Sequence, residues 1–432
     1  MSAADNRIGI SLSGGGYRAA AFHLGTLRKL NELGILQKAG VISTISGGSI
    51  TGACYCSQDG DFESFYKDLY SGLQKKNVIK RVLLSSTFLG LLAFALLFLG
   101  PAFYFLFTPY AWLFPILLAA FIILLLKFQF LIFPVSKRIE KIYDHFFYYN
   151  KKLGDLRDKP LLVIGSTNLQ TARPFTFSKS FMQDSTYQFM NDPVKFKPEN
   201  FPISRAVMAS SCVPFAFTPV KIDKEFFEDP AEAAKFHPAL VDGGVYDNQG
   251  IHKVMQAGFY ACPIVITSDA GAGGSGELQF KNTIALLIET VNVFMSRIKN
   301  IQMIRNVYDN ASTANRQVAY FSLGWDMENC IKGFITNLEK KQVPQSVINA
   351  HQLKQEWIDD PKKYESAITT HLRNITNYDK IDKPNANEKK IARSVGTNLT
   401  ALSKSKLDCL IKQAQALTEI QAKLYCPSLF QN

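Results

Sequence analysis

Three short stretches of the 432-residue chain carry residues that could do chemistry together. The first is Ile42-Ser43-Thr44-Ile45-Ser46-Gly47-Gly48-Ser49, which reads as the end of a buried strand, a serine, two glycines and the start of a helix. A serine on a sharp strand-to-helix turn is lifted clear of the backbone, where its hydroxyl can attack a carbonyl carbon. Gly47 and Gly48 suit the reversal because neither brings a Cβ into it. The second stretch, Ile8 to Arg18, runs from an apolar strand into Gly14, Gly15 and Gly16 and then into a helix. Backbone N–H groups at a helix N-terminus, reinforced by the dipole, suit a phosphate or the oxyanion of an acyl-transfer intermediate. It is not a P-loop, because no Gly-Lys-Ser/Thr follows. The third stretch is Leu240-Val241-Asp242-Gly243-Gly244, an apolar run ending in a carboxylate. Taken singly, the Ser46 and Asp242 stretches are each more often an ordinary glycine turn than a catalytic site.

Together they resemble the patatin-like phospholipases. That family carries a glycine-rich oxyanion loop with an arginine, a G-x-S-x-G serine, and an aspartate in D-G-G/A. The resemblance implies Ser46 as nucleophile, Asp242 as its partner, Gly14, Gly15 and Gly16 as the oxyanion hole with Arg18 supporting the loop, and Gly47 and Gly48 as the nucleophile elbow. It covers most of residues 7–81 and 155–330, and Ser204 to Pro214 looks like the family's segment ahead of the aspartate. Thr44 stands where the motif has its first glycine, and Ala19 follows Arg18 where glycine is usual. The resemblance implies a three-layer α/β sandwich and a dyad mechanism. In that mechanism the aspartate takes the serine proton, an acyl-enzyme forms and water releases it. It calls for no cofactor and no metal, and it makes membrane lipids the substrate.

The elements around these stretches are consistent with such a fold. Arg18 to Leu33 is helical in pattern, with Ala20, Leu24, Leu27 and Leu30 on one face and Gly34 as its stop. His23, inside it, reads as a packed or capping residue. Gly40 to Ile45 is a strand leading to Ser46, Leu161 to Ile164 is buried, Arg173 to Phe177 alternates like a half-buried strand, and Pro263 to Thr267 is buried again. Strands alternating with helices and glycine turns argue an α/β fold with a mostly parallel sheet. Its sites are expected at the carboxyl ends of the strands. Asp269, at the end of the last of these runs, is the competing carboxylate. The D-G-G context favours Asp242 and leaves Asp269 to cap or close a turn.

Composition narrows the setting. Hydrophobic residues make up 47% and the net charge is +12, a basic balance that can mean nucleic acid, an anionic membrane surface or nothing specific. No nucleic-acid motif or basic-aromatic repeat accompanies the charge. The seven cysteines are scattered, with no zinc spacing, and read as reduced thiols of a cytosolic compartment. The first residues lack the pattern of a signal peptide.

The abrupt change is at Val82. Val82 to Phe107 has no charge, Ala111 to Leu126 is equally apolar, and the second run resumes after Lys127 to Phe133. A membrane span needs about 20 apolar residues, and a lysine near one end can snorkel to the headgroups. Lys75, Lys76, Lys80 and Arg81 precede the runs and Lys137, Arg138 and Lys141 follow them, so both ends are expected on the cytoplasmic side. A spanning hairpin, a re-entrant hairpin kinked at Pro101 and Pro115, and a soluble buried hairpin are the three arrangements open. The length of the uncharged runs ranks the buried one last.

The chain therefore divides into hydrolase sequence at 1–81 and 134–330, an inserted hairpin at 82–133, and a mostly helical region at 331–432, with a charged, loop-like break at Asp379 to Lys390. Asn282 to Asn306 has amphipathic helix character. His351 and His371 lack acidic partners at metal spacing, and His237 and His252, flanking the Asp242 motif, are expected in surface loops. The reading is an integral-membrane lipid acyl hydrolase of phospholipase A or lysophospholipase type, with its hydrolase body on the cytoplasmic side. A serine esterase or thioesterase on other acyl groups, and a catalytically silent lipid-binding membrane adaptor, are the alternatives. Protein partners are not indicated.

Overall fold

Near-continuous apolar runs build the centre of the sheet, as expected for strands covered on both faces. The computed structural model describes residues 7–272 and 282–431. Its strands are β1 (Ile8–Leu12), β2 (Ala39–Ile45), β3 (Leu161–Asn168), β4 (Arg173–Phe177), β5 (Met182–Asp184), β6 (Val220–Lys221), β7 (Ala239–Asp242), β8 (Ile264–Asp269) and β9 (Gln317–Ser322). They join in one mixed sheet of order β5-β4-β3-β2-β1-β8-β9, with β7 paired to β3 and β6 to β7. The five strands from β3 to β9 are parallel, and β4 to β7 pair antiparallel. The fold is thus α/β with a mostly parallel sheet.

Strand alternation sends side chains to two apolar clusters. Ile10, Leu12, Ile42, Ile164 and Ile266 join the larger one, while Val41, Val163, Val265 and Val318 pack with Ile251 and Val254 on the other face. Helix α1 (Gly16–Glu32) belongs to the larger cluster, and so does the C-terminal helix Lys404–Tyr425 packed against it. Their close approach needs Gly25, where a Cβ would lie 2.5 Å from the Ile411 carbonyl oxygen. Leu410, Leu417 and Leu424 of the C-terminal helix are fully buried there, each stabilising the fold by about 1.5–3 kcal/mol.

After Ser46 the chain runs through α2 (Gly47–Ser57), α3 (Phe62–Lys75) and α4 (Val78–Leu83) into the apolar pair α5 (Ser86–Leu106) and α6 (Leu113–Ile132), then into α7 (Val135–Tyr143). Helices α4 and α7 pack together, so the hairpin leaves and re-enters the body at one place. The Ser85 hydroxyl caps α5 by accepting the Phe88 N–H at 3.2 Å. Only Ala102 is buried in α5 and nothing is buried in α6. The two helices pack on each other and expose the rest, which excludes a hairpin buried in the body.

Three details differ from the expectations. Strand β4 is buried over Phe175, Thr176 and Phe177 rather than alternating; Phe196 and Phe201 pack on the face carrying Phe175 and Phe177, and β5 closes its open edge. The break at Asp379 to Lys390 contains the start of a helix, Ala386–Arg393, opened by a reciprocal Asn385–Glu388 capping box. The expected terminal helices from Thr397 are one helix, Lys404–Tyr425.

Candidate active site

Strand β3 aligns the two candidate reacting residues. Along one edge it pairs with β2 up to Ile45–Gly165, and at the next residue β7 takes over with the pair Ser166–Asp242. Ser46 follows Ile45 directly, so the serine and the aspartate emerge at one level of the sheet, from strands of opposite direction. Ser166 secures the handover by donating its hydroxyl to Val241 O at 2.8 Å, and Thr167 donates to Asp242 O at 3.0 Å.

Ser46 has φ 49° and ψ −116°, a positive-φ conformation outside the ordinary wells that costs a non-glycine residue about 1–3 kcal/mol. The surroundings hold it there. Its backbone N–H donates to Ser210 Oγ at 2.8 Å, and Ser210 donates to Gly165 O at 2.6 Å. Ser210 ends the helix Ile203–Ser210, whose final turn also accepts the Gly243 N–H at Ser210 O. One residue thus ties the serine turn to the aspartate strand. Gly48 donates to Ser13 O at 3.1 Å, and a Cβ on Gly47 would lie 2.1 Å from Gly16 O, so the serine turn and the glycine loop lie in contact. Thr44 fits in place of the motif glycine because α2 carries Gly52 opposite it, where a Cβ would meet the Thr44 methyl at 2.5 Å.

Asp242 is buried, and its Oδ1 accepts the Gly244 N–H at 2.7 Å. Burial pushes its pKa up from 3.8 to about 6, against the opposing pull of hydrogen bonds from the Gly244 N–H and the Ser46 hydroxyl. The serine hydroxyl therefore meets a carboxylate that has become a stronger base than it would be in water.

The glycine loop differs from the expectation at one residue. The Gly14 N–H already donates to Asn248 O at 2.9 Å, so it is engaged in holding the loop. Among the described residues the Gly15 and Gly16 N–H groups have no protein acceptor. Both glycines have positive φ, 136° and 57°. A Cβ on Gly16 would also strike Asn398 O at 2.4 Å. Asn248, six residues after Asp242, fills the space between Gly14 and Gly244 and lines the cleft. Sequence reading missed it, as it missed Ser210.

Beneath the loop, buried His23 lies 2.9 Å from Ser13 O through Nε2 and 2.9 Å from Ser268 Oγ through Nδ1. Burial lowers its pKa to about 4, so it stays neutral. Arg18 lines the cleft beside Gly15, reaching Val395 O at 3.3 Å, and its buried Nε has no partner among the described residues. Asp269 opens on the same cleft, but its carboxylate is occupied. Lys299 Nζ lies 2.5 Å from it, Tyr320 donates at 2.7 Å, and the Gly271 N–H donates at 2.9 Å, closing the expected turn. Burial would raise the Asp269 pKa; the Lys299 ammonium and these donors override it and hold the group ionised. The ion pair has no counterpart in sequence spacing.

Ser46, Asp242, Gly14, Gly15, Arg18, Asn248, Asp269 and Lys299 line a cleft of about 420 Å³. Val213, Pro214 and Phe215 form one side, and Ile288, Val291 and Met295 of the helix Thr283–Met303 form the other. No residue of α5 or α6 lines it. The other histidines weighed in the sequence lie elsewhere: His237 is exposed as expected, His252 lies on the short helix Ile251–Met255 rather than in a surface loop and stacks edge-on to Tyr246, and His351 and His371 bond backbone carbonyls. Among the described residues no cluster of His, Cys, Asp and Glu could hold a metal, and all seven cysteines are buried free thiols.

A model of the patatin-like phospholipase family matches residues 10–255, more than half of the chain. None of the curated proteins matches it in sequence. Among solved structures it is similar to VipD from Legionella pneumophila, at 13% identity and a TM-score of 0.34, over 91% of this chain and 83% of that one. It is also similar to human GIVD cytosolic phospholipase A2, at 12% identity and a TM-score of 0.46, over 98% of this chain and 62% of that one. The same human protein in complex with methyl gamma-linolenyl fluorophosphonate matches at 13% identity and a TM-score of 0.44. The chain thus spans about three fifths of the human structures.

Proposed function

The chain belongs to the patatin-like phospholipase family of ester hydrolases, whose substrates are lipids, and on that premise we propose a membrane-anchored lipid acyl hydrolase working through a Ser46–Asp242 dyad. Asp242 takes the Ser46 proton as Oγ attacks an ester carbonyl, and the developing oxyanion lies against the Gly15 and Gly16 N–H groups. The ester C–O bond breaks, the leaving alcohol takes the proton from Asp242, and the acyl group stays on Ser46. Water then attacks the acyl-enzyme with Asp242 again as base, releasing a fatty acid.

The observation that carries this reading is the adjacent pairing of Ile45 and Asp242 on β3, which brings the serine hydroxyl to a buried carboxylate of raised pKa. A base near the working pH accepts a proton far better than a carboxylate at about 3.9. A fluorophosphonate probe tests it. Labelling of the folded protein that disappears in Ser46→Ala and falls sharply in Asp242→Asn is expected. Undiminished labelling of Ser46→Ala would refute the assignment.

The anchor is the α5–α6 pair. Helix α5, at 21 residues, has the length to cross the hydrocarbon layer, about 30 Å at 1.5 Å per residue; α6 covers it with 20 residues whose helical geometry breaks at Phe128 (φ −116°, ψ 17°), beside Lys127. Each is apolar around its circumference except for Lys127 and Gln129 near the C-terminal end of α6, and almost nothing in either is buried, an arrangement suited to lipid. Lysines and arginines flank both ends, which supports a cytoplasmic body.

A further inference from the structure

The helix Thr283–Met303 presents apolar side chains on both of its sides. Ile288, Val291 and Met295 line the cleft, as does Lys299. Leu286, Leu287, Val293, Phe294 and Ile301 are exposed by between 50% and 58%. Their spacing of seven and eight residues places them in one stripe, about 120° wide, opposite the cleft-facing set. A helix in water carries polar residues there. The other side of the cleft is similar, for Val213 and Phe215 line it yet are 44% and 66% exposed.

A single loop connects this rim to the foot of the hairpin. Residues 213–219 follow Cys212, whose Sγ donates to Thr218 O at 3.1 Å. Thr218 O also accepts the hydroxyl of Ser136, the second residue of α7, just beyond α6, at 2.5 Å. Phe215 and Thr218 are three residues apart, so at most about 10 Å of chain separates the rim from the point where the hairpin re-enters the body.

We infer that the outer stripe of the helix Thr283–Met303, with Val213 and Phe215, is a second bilayer-contacting surface through which a lipid acyl chain enters the cleft. The inference rests on the membrane-anchored hydrolase reading. It commits to one occupant, the surface of a phospholipid bilayer containing anionic lipid. Three observations favour that occupant. The stripe backs onto the cleft holding the dyad, the rim adjoins the apolar hairpin, and exposed Arg297 lies within the stripe, where its stem can lie on lipid while its guanidinium meets phosphate. The entrance is then built from this rim and not from the hairpin.

The test uses the full chain in vesicles of phosphatidylcholine and phosphatidylglycerol. Phe294→Cys, labelled with an environment-sensitive fluorophore, reports the surface directly, since the native thiols are buried. A blue shift and quenching by nitroxide-bearing lipid are expected. The pair Leu287→Gln and Phe294→Gln, outside the cleft lining, should lower hydrolysis of vesicle phospholipid about tenfold and hydrolysis of a soluble short-chain ester by less than about twofold. A fluorophore that stays in water, or one shielded only by concentration-dependent self-association, overturns the inference. So does an equal loss on both substrates or no loss on either. If Ser46→Ala retains ester hydrolysis, the functional reading fails on its own, and the fluorophore still reports whether the stripe meets lipid.

Discussion

The Ser210 hydroxyl accepts the backbone N–H of Ser46 at 2.8 Å while donating to Gly165 O at 2.6 Å. The strained turn at Ser46 is therefore held from a different element, the end of the helix Ile203–Ser210. Ser210→Ala removes the acceptor and leaves a buried N–H unpaired, at a cost of about 1–3 kcal/mol. Stability should fall by that amount in urea unfolding. The soluble-ester kcat should fall about tenfold with KM little changed, because the hydroxyl of Ser46 is displaced rather than removed. Unchanged kcat would show that the turn holds its shape without this bond.

The buried strands and both glycine turns were legible in sequence because one local rule specifies each. An apolar run between turns marks β1, β2, β3 and β8, and glycine after a strand marks the Ser46 and Asp242 ends. Ser210, Asn248 and the Lys299–Asp269 pair were not legible. Their roles arise where separate elements meet, and serine or asparagine at a helix end is ordinary in sequence. The helix Ala386–Arg393 was obscured by its own charge. Its Asn385–Glu388 capping box is a readable signal, and its charges are used in tertiary pairs, with Lys389 bonding Glu328 at 2.6 Å and Arg393 bonding Asp326 at 2.8 Å. The apolar runs showed a hairpin, but which side chains the body covers is a tertiary fact.

The pKa of Asp242 sets the pH dependence of the reaction. Burial raises it to about 6, and only the ionised form can take the Ser46 proton. The kcat/KM for a soluble ester should therefore rise with pH and reach half its plateau near pH 6. Asp269 is held below the ordinary carboxylate range by Lys299, so it stays ionised across this window and contributes no inflection. A half-rise near pH 4 would mean that the catalytic carboxylate is solvated or is not Asp242.

The same shift has a cost in stability. Raising the pKa from 3.8 to about 6 on folding means that the native state holds the proton more tightly than the unfolded chain. The contribution is full below pH 3.8 and is lost as pH rises through about 6, leaving ionised Asp242 less favourable by about 3 kcal/mol. Asp242→Asn is neutral at every pH and keeps an oxygen to accept the Gly244 N–H. It should be more stable than the parent at pH 8, with the advantage shrinking toward pH 4. Asp247, whose pKa burial also raises to about 6, is common to both proteins and cancels in the difference. A variant less stable than its parent at pH 8 would show that the charge is better compensated than its burial implies.

The hairpin gives the last prediction, and its attachment to the body decides how it should be cut. Helices α4 and α7 pack together at its base, and Val82 and Val135 are buried in the main core, so excision must spare both. Replacing residues 86–132 with a short Gly/Ser linker leaves Ser85 and the buried start of α7 in place. The shortened protein should fold, because almost no side chain of α5 or α6 is buried against the rest of the chain. It should leave the membrane fraction on carbonate washing and keep near-parental activity on a soluble ester, since no residue of the removed segment lines the cleft. Activity on vesicle phospholipid should fall steeply as the body loses its tether, yet addition of anionic lipid should restore part of it. The stripe on the helix Thr283–Met303 and the exposed basic residues Lys75, Lys80, Lys137 and Lys141 remain, and such attraction weakens with salt. A shortened protein that still resists carbonate extraction would move the anchor away from α5 and α6. Loss of soluble-ester activity in a folded product would place the hairpin in support of the site after all.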